Sequence, residues 1–364
     1  VDCPHTPWLE TDAFLERFNR RAIAERIPLS GSIALTNRCN LRCAHCYVGD
    51  CRWSAGGSPE LSTAEFRRVL DEITGAGCLY LILTGGEPLV RPDFAEIYTH
   101  ARGLGLIVTV FTNATLVDAR VVSLFQEYPP QSVEITLYGG TAATYERITG
   151  VAGAYDKCLA GIERLVAGHV RLALKTVLLS LNQAELPAME DLARRFGAKF
   201  RLDPAVFPRF DGDRAPLELR LPADQAVRLE FANPETVRAW TRYVETRVPE
   251  PASEHLYTCG AGRTTFHVDA DGGLYPCLMT RRPRYDLRTG PFMVGWNEVI
   301  PQVRTRGRPP EACRACEHRL LCGYCPPFAE LETGSEETPP PYLCALGKAR
   351  AKALAELSGG GREA

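Results

Sequence analysis

Short apolar runs recur through the first two hundred residues, each bounded by polar or turn-forming positions. Six of them predict strands: "SIALT" (Ser32 to Thr36), "LYLIL" (Leu79 to Leu83), "IVTVF" (Ile107 to Phe111), "VEITLY" (Val133 to Tyr138), "RLALKTVLL" (Arg171 to Leu179) and "KFRLD" (Lys199 to Asp203). The intervening stretches carry the 3.6-residue period of helices. In "STAEFRRVLDEIT", Ser62 and Glu65 form a capping-box pattern, and Phe66, Val69, Leu70 and Ile73 line one face. Strand, helix, strand at this regular spacing predicts parallel pairing with right-handed crossovers, an α/β fold. Six such units suit a partial TIM-like (β/α)6 barrel better than a closed eight-fold one.

Near Pro204 the pattern breaks. "DPAVFPRFDGDRAP" is rich in Pro, Asp and Gly and reads as the exit from the sixth strand. From Cys259 onward periodic signals weaken and cysteines take over. The predicted division is an N-terminal extension (1–30), the barrel (31–225), a linker or helix (226–254), a cysteine-rich domain (255–350) and a tail (351–364) ending in an unstructured "GGGREA".

Composition narrows the function. Forty-two basic and forty-four acidic side chains leave a formal charge of −2, no footprint for nucleic acid or an anionic membrane. No apolar run approaches the roughly 18 residues of a membrane span, and the charged N-terminal stretch lacks a signal-peptide core, so a cytoplasmic location is expected. Fourteen cysteines in a reducing compartment point to metal rather than disulfides.

The first cysteines, Cys39, Cys43 and Cys46, fall on the loop leaving the first predicted strand, with Cys51 nearby. A closed structural zinc site takes four ligands, for which His45 or Cys51 would have to complete the set. Three thiolates instead suit an iron-sulfur cluster with one iron left open. "CNLRCAHC" resembles the Cys-x3-Cys-x2-Cys signature of the radical S-adenosylmethionine (radical SAM) enzymes. That resemblance implies a [4Fe-4S] cluster chelated by the methionyl amine and carboxylate of SAM, with His45 against the nucleoside and Cys51 a bystander. "LTGGEPLV" is similar to the family's GGEP motif, which implies that Gly85 and Gly86 offer backbone, and Glu87 a carboxylate, to the methionyl end. Asn113, in "TNAT", either reaches the cofactor or caps the strand end. "ITLYGGTAATYERITG" resembles the fourth-strand segment, which implies a ribose contact from Thr136, where Ser is more usual, and pairing of Arg147 with the cofactor carboxylate. Lys175, a charge inside an apolar run, faces either the barrel cavity or water.

Seven further cysteines follow: Cys259, Cys277, Cys313, Cys316, Cys322, Cys325 and Cys344. Two Cys-x2-Cys pairs allow a zinc ribbon, but seven thiols fall one short of two closed four-ligand sites. The full order resembles the SPASM extension of radical SAM peptide maturases, with two residues between Cys322 and Cys325 where three is more usual. It implies two auxiliary [4Fe-4S] clusters, three clusters in all. Cys313, Cys316, Cys322 and Cys344 would close one, and Cys259, Cys277 and Cys325 would hold the other with an open iron. Cys3, Cys78 and Cys158 fit no pattern.

Together these resemblances imply an enzyme that modifies a ribosomally made peptide or protein side chain by cross-linking, thioether formation, excision or oxidation. The implied partners are that substrate, an external electron donor such as flavodoxin or ferredoxin, and a separate peptide-recognition protein. A formylglycine-forming maturase of the sulfatase type is the alternative, although Leu278 stands where those enzymes carry an acid. A non-catalytic zinc-binding module is the second.

Overall fold

The computed structural model describes residues 11–49, 59–246 and 254–359, so Cys3, Cys51 and residues 360–364 lie outside it. Helix α1 (Thr11–Ala24) precedes the six expected strands. These are β1 (Ser30–Ala34), β2 (Tyr80–Thr84), β3 (Ile107–Thr112), β4 (Ser132–Thr136), β5 (Leu172–Val177) and β6 (Lys199–Asp203). They lie side by side in chain order, every pair parallel. Parallel neighbours need long crossovers. Helices supply them: α2 (Thr63–Gly75), α3 (Phe94–Gly103), α4 (Ala119–Glu127), α5 (Ala142–Thr149), α6 (Ala154–Ala167) and α7 (Leu186–Arg195). Ser62 and Glu65 close the capping box of α2, whose buried face is Phe66, Val69, Leu70 and Ile73, as the sequence predicts.

Alternation along each strand divides the barrel into two faces. Ile33, Leu83, Val108, Val110, Val133, Ile135 and Leu174 are fully buried in the core that includes Phe66, Ile97 and Ile162 of the helices. The other face, carrying Ser32, Thr109, Phe111, Glu134, Thr136 and Lys175, is only partly buried.

Beyond β6, helices α8 (Ala223–Glu230) and α9 (Pro234–Thr246) occupy most of the expected linker. The cysteine-rich segment has weak strand signals in sequence, yet it forms β7 (Thr265–Val268), β8 (Gly273–Tyr275) and β9 (Tyr285–Asp286). The weakness has a physical source: Phe266, His267 and Val268 are all buried, so no alternation marks the strand. β7 pairs in parallel with the outer edge of β1, and β8 and β9 follow antiparallel, giving one nine-stranded sheet. Short helices α10 (Phe292–Val294), α11 (Glu311–Arg314) and α12 (Pro326–Thr333) lead to α13 (Pro341–Gly359). The expected tail from 351 therefore begins inside a helix, because α13 packs Leu343 and Leu346 against Ala226 and Val227 of α8. Arg350 also reaches across to Glu230 in a buried two-bond ion pair at 2.9 and 3.2 Å. Among the described residues no helix is long and apolar enough to cross a membrane.

The β1–β7 seam depends on a missing side chain. A Cβ at Gly31 would lie 2.2 Å from the ring of Phe266. That ring is held by Phe292 and Trp296 at centroid distances of 4.9 and 6.3 Å. Gly31→Ala should therefore destabilise the protein by about 1–3 kcal/mol through overpacking, measured as a lower urea midpoint. Adding Phe266→Leu should recover part of the loss. An unchanged midpoint for the single variant would show that the seam is looser than this.

Candidate active site

The site is built where β1 and β2 end. Thr36, fully buried, donates to Glu60 Oε1 at 2.6 Å, and the same oxygen accepts the Asn37 amide at 2.9 Å. Arg91 is buried beneath, paired to Asp93 through two bonds of 2.9 and 2.6 Å and donating to the Leu35 carbonyl at 3.0 Å. On this fixed backbone lies the Gly85–Glu87 turn. The Gly86 amide donates to the Thr36 carbonyl at 2.8 Å and the Glu87 amide to the Arg38 carbonyl at 2.9 Å. Gly85 has φ +136°, and a Cβ on either glycine would fall 2.3 Å from one of those carbonyl oxygens. No other residue lets the two backbones meet so closely.

Cys39, Cys43 and Cys46 follow on the half-buried loop after β1. Cys39 Sγ accepts from the Leu41 amide at 3.4 Å and from Asn113 Nδ2 at 4.0 Å. Asn113 Nδ2 also donates to Asn40 Oδ1 at 2.9 Å, while its own oxygen accepts from the Thr115 amide and hydroxyl. Asn113 thus both ties the end of β3 and reaches the thiol loop. Beneath the loop sits the buried Tyr138 hydroxyl, whose pKa is raised well above its ordinary value by burial and by Cys43, Cys46 and Cys39 around it. Its ring lies 5.0 Å from that of His45. Burial pushes His45 down to about 4, and its Nδ1 is buried with no hydrogen-bond partner among the described residues.

This arrangement fits a bound group. Six buried side-chain nitrogen or oxygen atoms lack partners among the described residues, and three of them, on His45, Arg209 and Arg281, surround the thiol loop. Among those residues no three His, Cys, Asp or Glu side chains are gathered to bind a single metal ion. Three thiols on an open loop suit a cluster.

Several expectations meet a different geometry. Glu87 has no exposed surface, and its carboxylate accepts from the Asn113 amide at 2.7 Å, the Leu89 amide at 3.0 Å and the Thr112 hydroxyl at 2.8 Å. Its side chain therefore joins β2 to β3, while Gly85 and Gly86 beside it are half-buried. Burial raises Glu87 to about 7, against the pull of those donors. Arg147 lies on the exposed face of α5, because the helical period turns Tyr145, Ile148 and Thr149 inward. Thr136 ends β4 on the cavity face beside Lys175. Lys175 faces the barrel interior and not water: its Nζ bonds Glu134 at 3.2 Å and lies 3.2 Å from the centre of the Phe111 ring. Burial lowers it to about 8, with Glu134 opposing.

The C-terminal thiols gather into two groups. Burial pushes Cys325 up to about 12, with Cys277 and Cys259 adding to the effect. It pushes Cys313 to about 11, with Cys344, Cys322 and Cys316 adding. Cys325 therefore has Cys277 and Cys259 as electrostatic neighbours, and Cys313 has Cys344, Cys322 and Cys316. Cys344 arrives on α13, held by the Arg350–Glu230 pair. Cys78 and Cys158 are buried core thiols, each pushed up to about 12 by burial.

Sequence reasoning missed Tyr138, Tyr47 and Arg281. Tyr47 and Arg281 line a slot at the mouth of the site that also includes Gly85, His267 and Asp269. A larger cavity of about 470 Å³ around Arg102, His169 and Arg171 opens at the other end of the strands, away from the thiols. Barrels of this kind place chemistry at the C-terminal strand ends, which favours the smaller space.

Residues 33–193 match the profile of the Radical SAM superfamily. The chain is 30% identical over 307 residues to the mycofactocin maturase MftC of Mycobacterium ulcerans, covering 81% of this chain and 82% of the relative. It is 28% identical over 331 residues to an AdoMet-dependent heme synthase of Methanosarcina barkeri, covering 85% and 94%. Among solved structures, Streptococcus suis SuiB bound to S-adenosylmethionine superposes with a TM-score of 0.70, covering 93% of this chain and 84% of that one, at 15% identity. At that identity the likeness is one of fold.

Glu87 can be tested alone. All three of its partners are donors, so the Glu87→Gln amide would present an NH2 group to one of them. The variant should lose about 1–3 kcal/mol in urea unfolding, from a buried pair of donors without an acceptor. The wild-type carboxyl, raised from 4.5 to about 7, holds its proton more tightly folded than unfolded. Its contribution to stability therefore falls as pH rises from about 4.5 to about 7 and is flat above that. Glu87→Gln should lack this slope, and a variant matching wild type in both midpoint and pH profile would contradict the assignment.

Proposed function

Since this chain belongs to the radical SAM superfamily of enzymes, we propose that it cleaves S-adenosylmethionine reductively and modifies a ribosomally made peptide or a protein side chain. The observation that carries this reading is the likeness to a peptide maturase along 82% of that relative's length, which extends past the barrel into the cysteine-rich segment. Family membership brings SAM and a [4Fe-4S] cluster. When bound, they supply a 5′-deoxyadenosyl radical able to take hydrogen from an unactivated carbon.

The chain's own residues set the conditions for that chemistry. Cys39, Cys43 and Cys46 hold the cluster. Gly85 and Gly86 offer backbone to the methionyl end, Asn113 steadies Cys39 through an N–H···S contact, and His45 and Tyr138 wall the nucleoside side. Thr136 is the ribose contact. The two C-terminal thiol groups hold auxiliary clusters, Cys313, Cys316, Cys322 and Cys344 one, and Cys259, Cys277 and Cys325 the other, fed by an external donor such as flavodoxin or ferredoxin. Selection of the peptide falls to a separate recognition protein, and the setting is cytoplasmic. Divided as barrel, linker and auxiliary-cluster domain, the chain gives radical generation to the barrel and the auxiliary clusters to the cysteine-rich segment.

A second reading has its own support. The heme synthase relative is covered over 94% of its length, which favours a tetrapyrrole substrate. Formylglycine formation lacks its acid at Leu278, and a zinc module is set aside by family membership.

Anaerobic reconstitution should give roughly twelve irons per chain, four for each of three clusters. Replacing Cys39, Cys43 and Cys46 with Ala should remove about a third and abolish release of 5′-deoxyadenosine. Release from the triple variant would sink the assignment of these thiols. Incubation with short peptides encoded beside the gene, and separately with iron porphyrins, decides the substrate class by mass spectrometry: a mass change only in the porphyrin would replace the peptide reading.

A further inference from the structure

Where the loop after β1 faces the β7–β8 hairpin and the segment after it, a slot of about 20 Å³ remains between Asn37, Tyr47 and Gly85 on one side and Asp269, Leu278 and Arg281 on the other. A space needs roughly 10–15 Å³ to admit one water-sized group. The slot thus has room for about one small polar group, and Arg281 and Asp269 supply its charges.

Arg281 is fixed at its edge. One terminal nitrogen donates to Asp269 Oδ2 at 2.6 Å, and the other to the Leu278 carbonyl. The guanidinium lies between the rings of Phe210 and Tyr275, 4.3 and 4.6 Å from their centres. Asp269 is anchored in turn: its other oxygen accepts from His267 Nε2 at 2.8 Å, and His267 Nδ1 is hydrogen-bonded to the Ser32 hydroxyl of β1 at 2.7 Å. The whole line is therefore positioned by the β1–β7 seam. One donor is left over. Arg281 Nε is buried and has no hydrogen-bond partner among the described residues.

A buried, charged donor with no acceptor is costly unless a ligand supplies one. We propose that Arg281 binds the methionyl carboxylate of S-adenosylmethionine, so that a residue from the cysteine-rich segment completes a cofactor site otherwise built by the barrel. The proposal rests on the reading of the Gly85 turn as the wall of the methionyl end. A carboxylate that gives one oxygen to the cluster keeps a second for Arg281. Asp269 beside the guanidinium balances its charge, which suits the amino-acid end of SAM, carrying both signs, better than a simple anion. Arg147, the cation implied by sequence for this role, lies exposed on α5.

The test is a cycle of protein variant against ligand, using cluster-loaded protein and equilibrium dialysis with no turnover. SAM and its decarboxylated analogue, which keeps the sulfonium and amine and lacks only the carboxylate, are bound to wild type and to Arg281→Met. SAM affinity should fall roughly ten- to a hundred-fold in the variant, the loss of one charge-assisted hydrogen bond, while the analogue binds both proteins alike. Arg281→Lys, which preserves the pairing with Asp269 in a variant of different shape, should fall between. Equal losses for both ligands would mean that the substitution only disturbs the hairpin, and unchanged SAM affinity would mean that the carboxylate lies elsewhere; each overturns the proposal. A wild-type protein that fails to bind SAM at all overturns the reading of the Gly85 turn, and this proposal with it.

Discussion

β1 is hydrogen-bonded on both edges, to β2 on one side and β7 on the other, both in parallel. Parallel neighbours deliver their C-terminal ends to the same side of a sheet. The thiol loop leaves β1, the glycine turn leaves β2, and the hairpin that leads to Arg281 leaves β7, so three segments remote in sequence meet at one rim. The register is equally constrained. Ser32 stands opposite both Ile82 and His267, and a slip of one residue would turn every side chain in this row to the wrong face.

Buried charges in this molecule fall into two kinds. Glu87, Arg91 and the Glu230–Arg350 pair have side-chain bonds on every side and fasten one element to another. Removing a group from water is expensive, and such clusters persist because the geometry returns most of that cost while fixing one arrangement of the chain. Arg281 and Arg209 are different, for each keeps a buried nitrogen with no partner among the described residues, and both stand beside the thiol loop.

The barrel was legible in the sequence because its strands are covered on one face only, and alternation such as that of Ile107–Thr112 records this directly. The capping box of α2 was legible for a local reason, since the four residues from Ser62 to Glu65 contain the whole interaction. The seam between β1 and β7 was not legible: its strand is buried throughout, and pairing across such a separation leaves no mark in either segment. The surroundings of Glu87 were not legible for a related reason, since a motif gives the residue type and not the direction of its side chain. That direction depends on Thr112 and Asn113, which another strand supplies. Arg147 stands on the exposed side of α5, opposite that helix's inward-facing residues.

The same seam bears on how the protein is made. Ser32 and His267 are 235 positions apart, so a chain emerging N-terminus first exposes the outer edge of β1 until all of that intervening stretch has been synthesised. An uncovered parallel edge is an adhesive surface during that interval. The hairpin that finally covers it closes the sheet late, through contacts of very long range, which are slow to form. Slower translation or lower expression temperature should accordingly favour recovery of folded chains, and the first cysteine loop emerges from the ribosome well before its permanent neighbour exists.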